Sequence, residues 1–173
     1  MKAKPYEDLG VFLAHSATLE REAAERFYEL AAMMKVHNND ALHELFLELA
    51  RYSVEHVNEV EDICKDHDLP SLKPWEYQWP DLEAPENISY ESAHYLMSPK
   101  EALEAVYKVE LKAEAFYRSI SLQASDEDIR KYAHLFAEEE HEHAEAAKRS
   151  LEELKLSKGQ DEKVDLDPPF MPE

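Results

Sequence analysis

Glycine is nearly absent from this sequence, with only Gly10 and Gly159 in 173 residues. Proline is missing between Tyr6 and Leu69 and again between Lys100 and Asp167. Strand-and-turn folds need more punctuation than that, so these absences exclude them and leave helix. Cysteine occurs once, at Cys64, which rules out an internal disulfide and any Cys-x-x-Cys zinc or rubredoxin-type iron site within these residues. No run has the apolar length of a membrane span, and the opening MKAKPYEDLGVF lacks the apolar centre of a signal peptide. Positive charge is scarce as well: 19 Lys and Arg stand against 39 Asp and Glu, a net charge of -20. Nucleic acid and anionic membrane repel such a surface, whereas metal cations are drawn to it. The expectation is a soluble, cytoplasmic, all-α protein with one substantial core and neither nucleic acid nor membrane as partner.

What is present reads as four long helices. The first starts at Pro5, which suits a first helical turn, and runs to about Lys35. Its inward stripe is Leu9, Leu13, Ala17, Glu20, Ala24, Phe27, Ala31 and Met34, with Glu20 the only acid. His37-Asn38-Asn39-Asp40 makes so short a turn that the second helix, Asp40 to about Asp66, must return antiparallel beside the first. Ser53 and His56 interrupt its apolar face.

The pattern then breaks over about residues 68–98, where Pro70, Pro74, Pro80 and Pro85 and both tryptophans, Trp75 and Trp79, fall. A structureless connection this long needs a purpose, and in a helical bundle the purpose is a crossover along the bundle's length. The tryptophans are expected to pack it onto the bundle or to form a dimer contact. Ser98-Pro99-Lys100-Glu101 is a capping box with proline at the first position, and it opens helix three. That helix carries one inward acid, Glu110, among Leu103, Val106, Ala113, Tyr117 and Ile120. Ser125 and Asp128 look like a second box opening helix four, which ends near Gly159. The expected organisation is a bundle over 1–157 and an acidic, proline-rich tail over 158–173.

Within helix four the stretch AEEEHEHAEAAKR, Ala137 to Arg149, is the most informative. The stripe through Ile129, Ala133, Phe136, Ala147, Leu151 and Leu154 also passes through Glu140 and His143. Burying a carboxylate without a partner costs several kcal/mol, roughly, so an inward acid implies a cation or a hydrogen-bond network. A Glu and a His one turn apart on an inward face can both reach one metal ion. Glu138, Glu139 and Glu142 read as outer-face charges and His141 as solvated. Cys64 reads as a small packed hydrophobe.

The halves of the chain repeat. An offset of ninety residues puts Glu20 on Glu110, Ala23 on Ala113 and Phe27 on Tyr117. An offset of 87 puts Leu49 on Phe136, Ala50 on Ala137, Ser53 on Glu140 and His56 on His143. Two copies of a helical hairpin are therefore expected, related by a pseudo-twofold axis.

The marks EREAAERFYELA, ELKAEAFY and EEEHEHAEA, with Glu140-x-x-His143, make the chain resemble the ferritin-like superfamily, and within it rubrerythrin-like proteins without the rubredoxin-type domain. The resemblance spans Tyr6 to Ser157. It implies an antiparallel four-helix bundle with a long crossover between helices two and three. It also implies a dinuclear centre built from one Glu on each of two helices and a Glu-x-x-His on each of the other two. Carried onto this chain, the metal ligands are Glu20, His56, Glu110, Glu140 and His143. Ser53 departs from the pattern, because a bridging carboxylate is usual there.

Four carboxylates neutralise two divalent ions, so Glu20, Glu110 and Glu140 leave one positive charge over. A bridging hydroxide, or Glu59 one turn beyond His56, are ways to balance it; a single metal on Glu110, Glu140 and His143 is the alternative. Beside a serine, His56 is either a ligand or a core histidine bonded to Ser53. Tyr117 is either core or a hydrogen-bond donor near the metals.

Carboxylate and imidazole suit iron, manganese or zinc, and the resemblance points to iron. The implied activity is a di-iron oxidoreductase that reduces peroxide or dioxygen with electrons from an unidentified donor, in a homodimer. The alternatives are an iron-sequestering protein without turnover and a structural bundle whose site has degenerated at Ser53.

Overall fold

A computed structural model describes residues 6–81, 83–89 and 92–161, the last five as helical backbone only. Pro5 and residues 162–173 of the expected tail lie outside the described residues. The order is α1 (Leu9–Val36), α2 (Asp40–Cys64), a 3-10 turn (Pro74–Glu76), α3 (Pro99–Gln123) and α4 (Glu127–Asp161), with no strand among the described residues. This is an all-α, ferritin-like four-helix bundle.

Each helix start is set by a local side chain. Helix α1 starts at Leu9 rather than at Pro5, because the Asp8 carboxylate accepts the Val11 N–H at 2.9 Å. Asn38 takes φ 58°, a left-handed conformation that asparagine tolerates, and this reverses the chain. Asn39 then caps α2 by accepting the Leu42 N–H at 3.3 Å. The Ser98–Glu101 box at α3 forms as expected, with the Ser98 N–H bonded to Glu101 at 2.7 Å. At α4 the cap is Asp126, not Ser125: its carboxylate accepts the Ile129 N–H at 2.9 Å. The Asp carboxylate one residue later reaches the same N–H and brings a charge that the helix dipole favours.

Helix α1 packs along α2 and α3 along α4, while the two hairpins meet more loosely. The core is divided along the bundle axis. One block gathers Phe12, Leu13, Ala17, Val60, Phe116, Tyr117, Ile129 and Phe136; the other gathers Phe27, Met34, Leu42, Phe46, Val106 and Ala147. In all four helices the residues between these blocks are the polar interruptions, so the bundle has a polar layer at mid-height.

The crossover lies along α1 and α3. His15, buried on α1, bonds the Val11 carbonyl through Nδ1 at 2.8 Å and accepts the Gln78 N–H at Nε2 at 3.1 Å. Thr18 donates to Tyr77 at 2.9 Å, and Lys112 of α3 pairs with Asp81 at 3.4 Å. Trp79 packs on the core beside Phe116, whereas Trp75 is 76% exposed. Only one of the two tryptophans therefore does the packing expected of both. Gly10 lets the crossover begin, since a Cβ there would lie 2.6 Å from the Asp68 carbonyl oxygen.

Candidate metal centre

The polar layer brings all five expected donors together. Glu20, Glu110 and Glu140 are buried, and His56 and His143 are half-buried. Donor atoms of Glu20, His56 and Glu140 lie within 4.8 Å of one another, and so do those of Glu110, Glu140 and His143. Glu140 belongs to both groups. The layer therefore has the form of two donor triads sharing one carboxylate, related by the same pairing that the sequence repeat shows. The His56 and His143 rings are 4.5 Å apart, and His143 Nδ1 stands 3.6 Å from Glu110 and 3.5 Å from Glu140.

Ser53 does not bond His56. Its hydroxyl donates instead to the Leu49 carbonyl at 3.2 Å, a backbone bond that serine in mid-helix commonly makes. A cavity of about 430 Å³ opens beside it, lined by Glu20, Ser53, Glu110 and His143 at its inner end. The exposed residues lining it, Glu48, Tyr52, Glu142, Ala146 and Arg149, stand on α2 and α4, so it meets solvent on that side.

Two outer acids behave differently from expectation. Glu139 is half-buried and its carboxylate lies 4.0 Å from His56 Nδ1. It joins Glu59 and His56 in a third group of donors at the rim. The turn of α4 against α2 brings Glu139 inward, which a single-helix projection does not show. Glu138, Glu142 and His141 lie on the surface as expected, with His141 3.3 Å from Glu114. Cys64 is buried and free.

One acid of the layer has no place on any helix stripe. Glu86, in the crossover, is 3% exposed and lines the same cavity. Its neighbours Ala84, Pro85 and Ile88 are also buried, so the chain dips into the bundle here. Ala84 belongs to one apolar block and Ile88 to the other, which leaves Glu86 at the height of the polar layer. The sequence offered only a weak cue: an acid among Ala, Pro and Ile in a connection too long to be idle.

Electrostatics follow from crowding acids in a dry place. Burial, and then the charge of Glu110, push Glu20 up to about 8. Burial and then Glu20 raise both Glu86 and Glu140 well above the usual carboxylate range. Burial alone would lower His143, but the Glu110 carboxylate, then Glu86 and Glu20, lift it to about 9. His56 is lowered, by burial and then by the His143 charge. Among the described residues, Glu86 Oε2, Glu110 Oε2 and Glu140 Oε2 are buried without a hydrogen-bond partner. Buried carboxylates in this state are costly unless a cation joins them, so the donor set fits divalent metal ions. The Tyr117 hydroxyl, also without a hydrogen bond, has its pKa raised by burial and then by Glu20.

Residues 101–171 match the rubrerythrin family. That stretch carries the complete Glu140-x-x-His143 pair. The chain is also similar to the crystal structure of an uncharacterised conserved protein from Magnetospirillum magnetotacticum MS-1. The two are 34% identical over 84% of this chain and 95% of that one, with a TM-score of 0.65. No curated protein matches. With two donor triads at mid-bundle and a relative of this identity along nearly its whole length, the chain belongs to the rubrerythrin family of ferritin-like proteins.

Proposed function

We propose that the protein is a non-haem iron protein whose dinuclear centre reduces peroxide or dioxygen. Glu20 and His56 would hold one ion, Glu110 and His143 the other, and Glu140 would be common to both. Iron bound there supplies the electrons that a small oxidant takes up. The single observation that carries the reading is that Glu140 is shared by two donor triads beside a solvent-connected cavity.

The chain's own residues divide the remaining work. Apolar blocks above and below confine the layer's contact with water to the cavity, which strengthens each charge inside it. The carboxylates give up protons when a cation arrives, and Glu20 and His143 hold protons that a metal must displace near neutral pH. Ser53, in place of a bulkier carboxylate, leaves the approach from α2 and α4 open for a molecule the size of peroxide.

Iron is loaded anaerobically, counted by elemental analysis, and peroxide is then added while its loss is followed. Two irons per chain and stoichiometric or catalytic loss of peroxide support the reading. Two irons with no reaction would leave a sequestering protein, and no iron would leave a bundle with a degenerate site.

A further inference from the structure

The layer holds an acid that the helical pattern of the family does not account for. Three carboxylates on the helices leave two divalent ions one negative charge short, because Ser53 stands where a second shared carboxylate would be. Glu86 supplies a carboxylate at that height, from the crossover rather than from a helix. Its burial is built, not incidental. Asn87 donates to Glu22 of α1 at 3.2 Å, the Asn87 N–H bonds the Ala84 carbonyl at 3.1 Å, and Ile88 is fully packed. These contacts hold residues 84–88 against the bundle with the Glu86 side chain inside. Its Oε2 has no hydrogen-bond partner, and it lines the cavity with Glu20, Glu110 and His143.

We propose that Glu86 is the fourth carboxylate of the metal centre, delivered by the crossover to replace the one missing at Ser53. The assignment rests on the dinuclear reading above. Glu86 belongs to neither donor triad as the side chains stand, so its carboxylate turns toward the ions when they bind. It approaches from the side of α1 and α3 that the crossover covers, while Ser53 leaves the side of α2 and α4 open. The arrangement keeps the centre neutral and accessible at once, which a carboxylate at position 53 would not do.

The test compares wild type, Glu86→Gln and the double variant Ser53→Glu/Glu86→Gln, each titrated with ferrous iron under argon. Retained iron is counted after desalting, and the unfolding midpoint is recorded with and without iron. Glutamine keeps the shape, and the iron-free midpoint should not fall. Wild type is expected to retain two ions, and Glu86→Gln to bind the second at least about tenfold more weakly, as loss of even an outer partner typically does. The iron-induced rise in midpoint should shrink accordingly, and the double variant should recover two ions. Two ions held by Glu86→Gln with unchanged affinity would overturn the assignment and leave the centre standing. A loss that Ser53→Glu does not restore would also overturn it, since Glu86 would then serve packing alone. No iron in the wild type would remove the centre itself and the assignment with it.

Discussion

The two hairpins of this bundle share a backbone plan but not a donor set. In α3 and α4 the layer receives Glu110, Glu140 and His143; in α1 and α2 it receives Glu20 and His56, with Ser53 opposite Glu140. Ala23 and Ala113 are both fully buried, as are Ala50 and Ala137, so the packing around the layer has stayed symmetric. The chemistry has not. The hairpin that lacks a carboxylate leaves Ser53 lining the cavity, and a buried acid enters from the crossover instead. The difference teaches that a symmetric scaffold can carry an asymmetric site, provided the charge is made up from elsewhere.

The largest effect is expected from Glu140→Ala. Because Glu140 belongs to both triads, its loss should abolish retention of both ions rather than one. Elemental analysis should find almost no iron, and peroxide loss should fall at least about a hundredfold, the scale of losing one well-placed catalytic interaction. Retention of one full iron would show that the halves bind independently.

Restoring the symmetry is the next test. Ser53→Glu should tighten iron binding by giving each half a shared carboxylate, and it should slow peroxide loss by filling the cavity beside the layer. Faster peroxide loss in this variant would mean that the oxidant does not enter past Ser53.

The pH dependence of the metal-free protein separates the halves less sharply. Glu20 is raised from 4.5 to about 8. Its contribution to stability is therefore complete below about pH 4.5 and is lost as pH climbs through 8. His143, raised from 6.5 to about 9, contributes fully below pH 6.5 and fades as pH passes 9. His56, lowered, works in the opposite sense and loses stability as pH falls. The unfolding midpoint of chelator-treated protein should thus decline from pH 6.5 to 9, and the rise produced by iron should grow over the same range. A metal-free midpoint that climbs across this window would contradict the protonated layer.

The smallest effect belongs to the junction of the first hairpin with the crossover. Gly10→Ala places a methyl group 2.6 Å from the Asp68 oxygen, against backbone that has to move. Overpacking of this kind costs about 1–3 kcal/mol, seen as a lowered melting midpoint. Iron affinity should weaken slightly as well, because the crossover that carries Glu86 begins there. An unchanged midpoint would show that the start of the crossover is loose.

Much of this was legible in one dimension. Spacings of three and four placed Glu20, Ser53, Glu110 and Glu140 among apolar residues, and all four are buried. Scarcity of glycine and proline gave helix, and the residues that the repeat pairs, Glu20 with Glu110 and His56 with His143, meet in one layer. Helix starts were read with less precision, since Asp8 and Asp126 cap where Pro5 and Ser125 looked suitable. Periodicity locates a face, whereas a cap depends on which of several polar residues reaches a particular N–H.

The helical class, the faces of the helices and the acids and histidines those faces carry are all consequences of local spacing. Only the tertiary structure decided that Glu140 is common to two triads, that Glu139 turns toward His56, and that Glu86 joins the layer. These depend on how one helix is rotated against another and on where an irregular connection dips inward. The crossover has no period, so nothing in its order of residues marks which side chain faces the core; the height at which Ala84 and Ile88 find their apolar partners sets it.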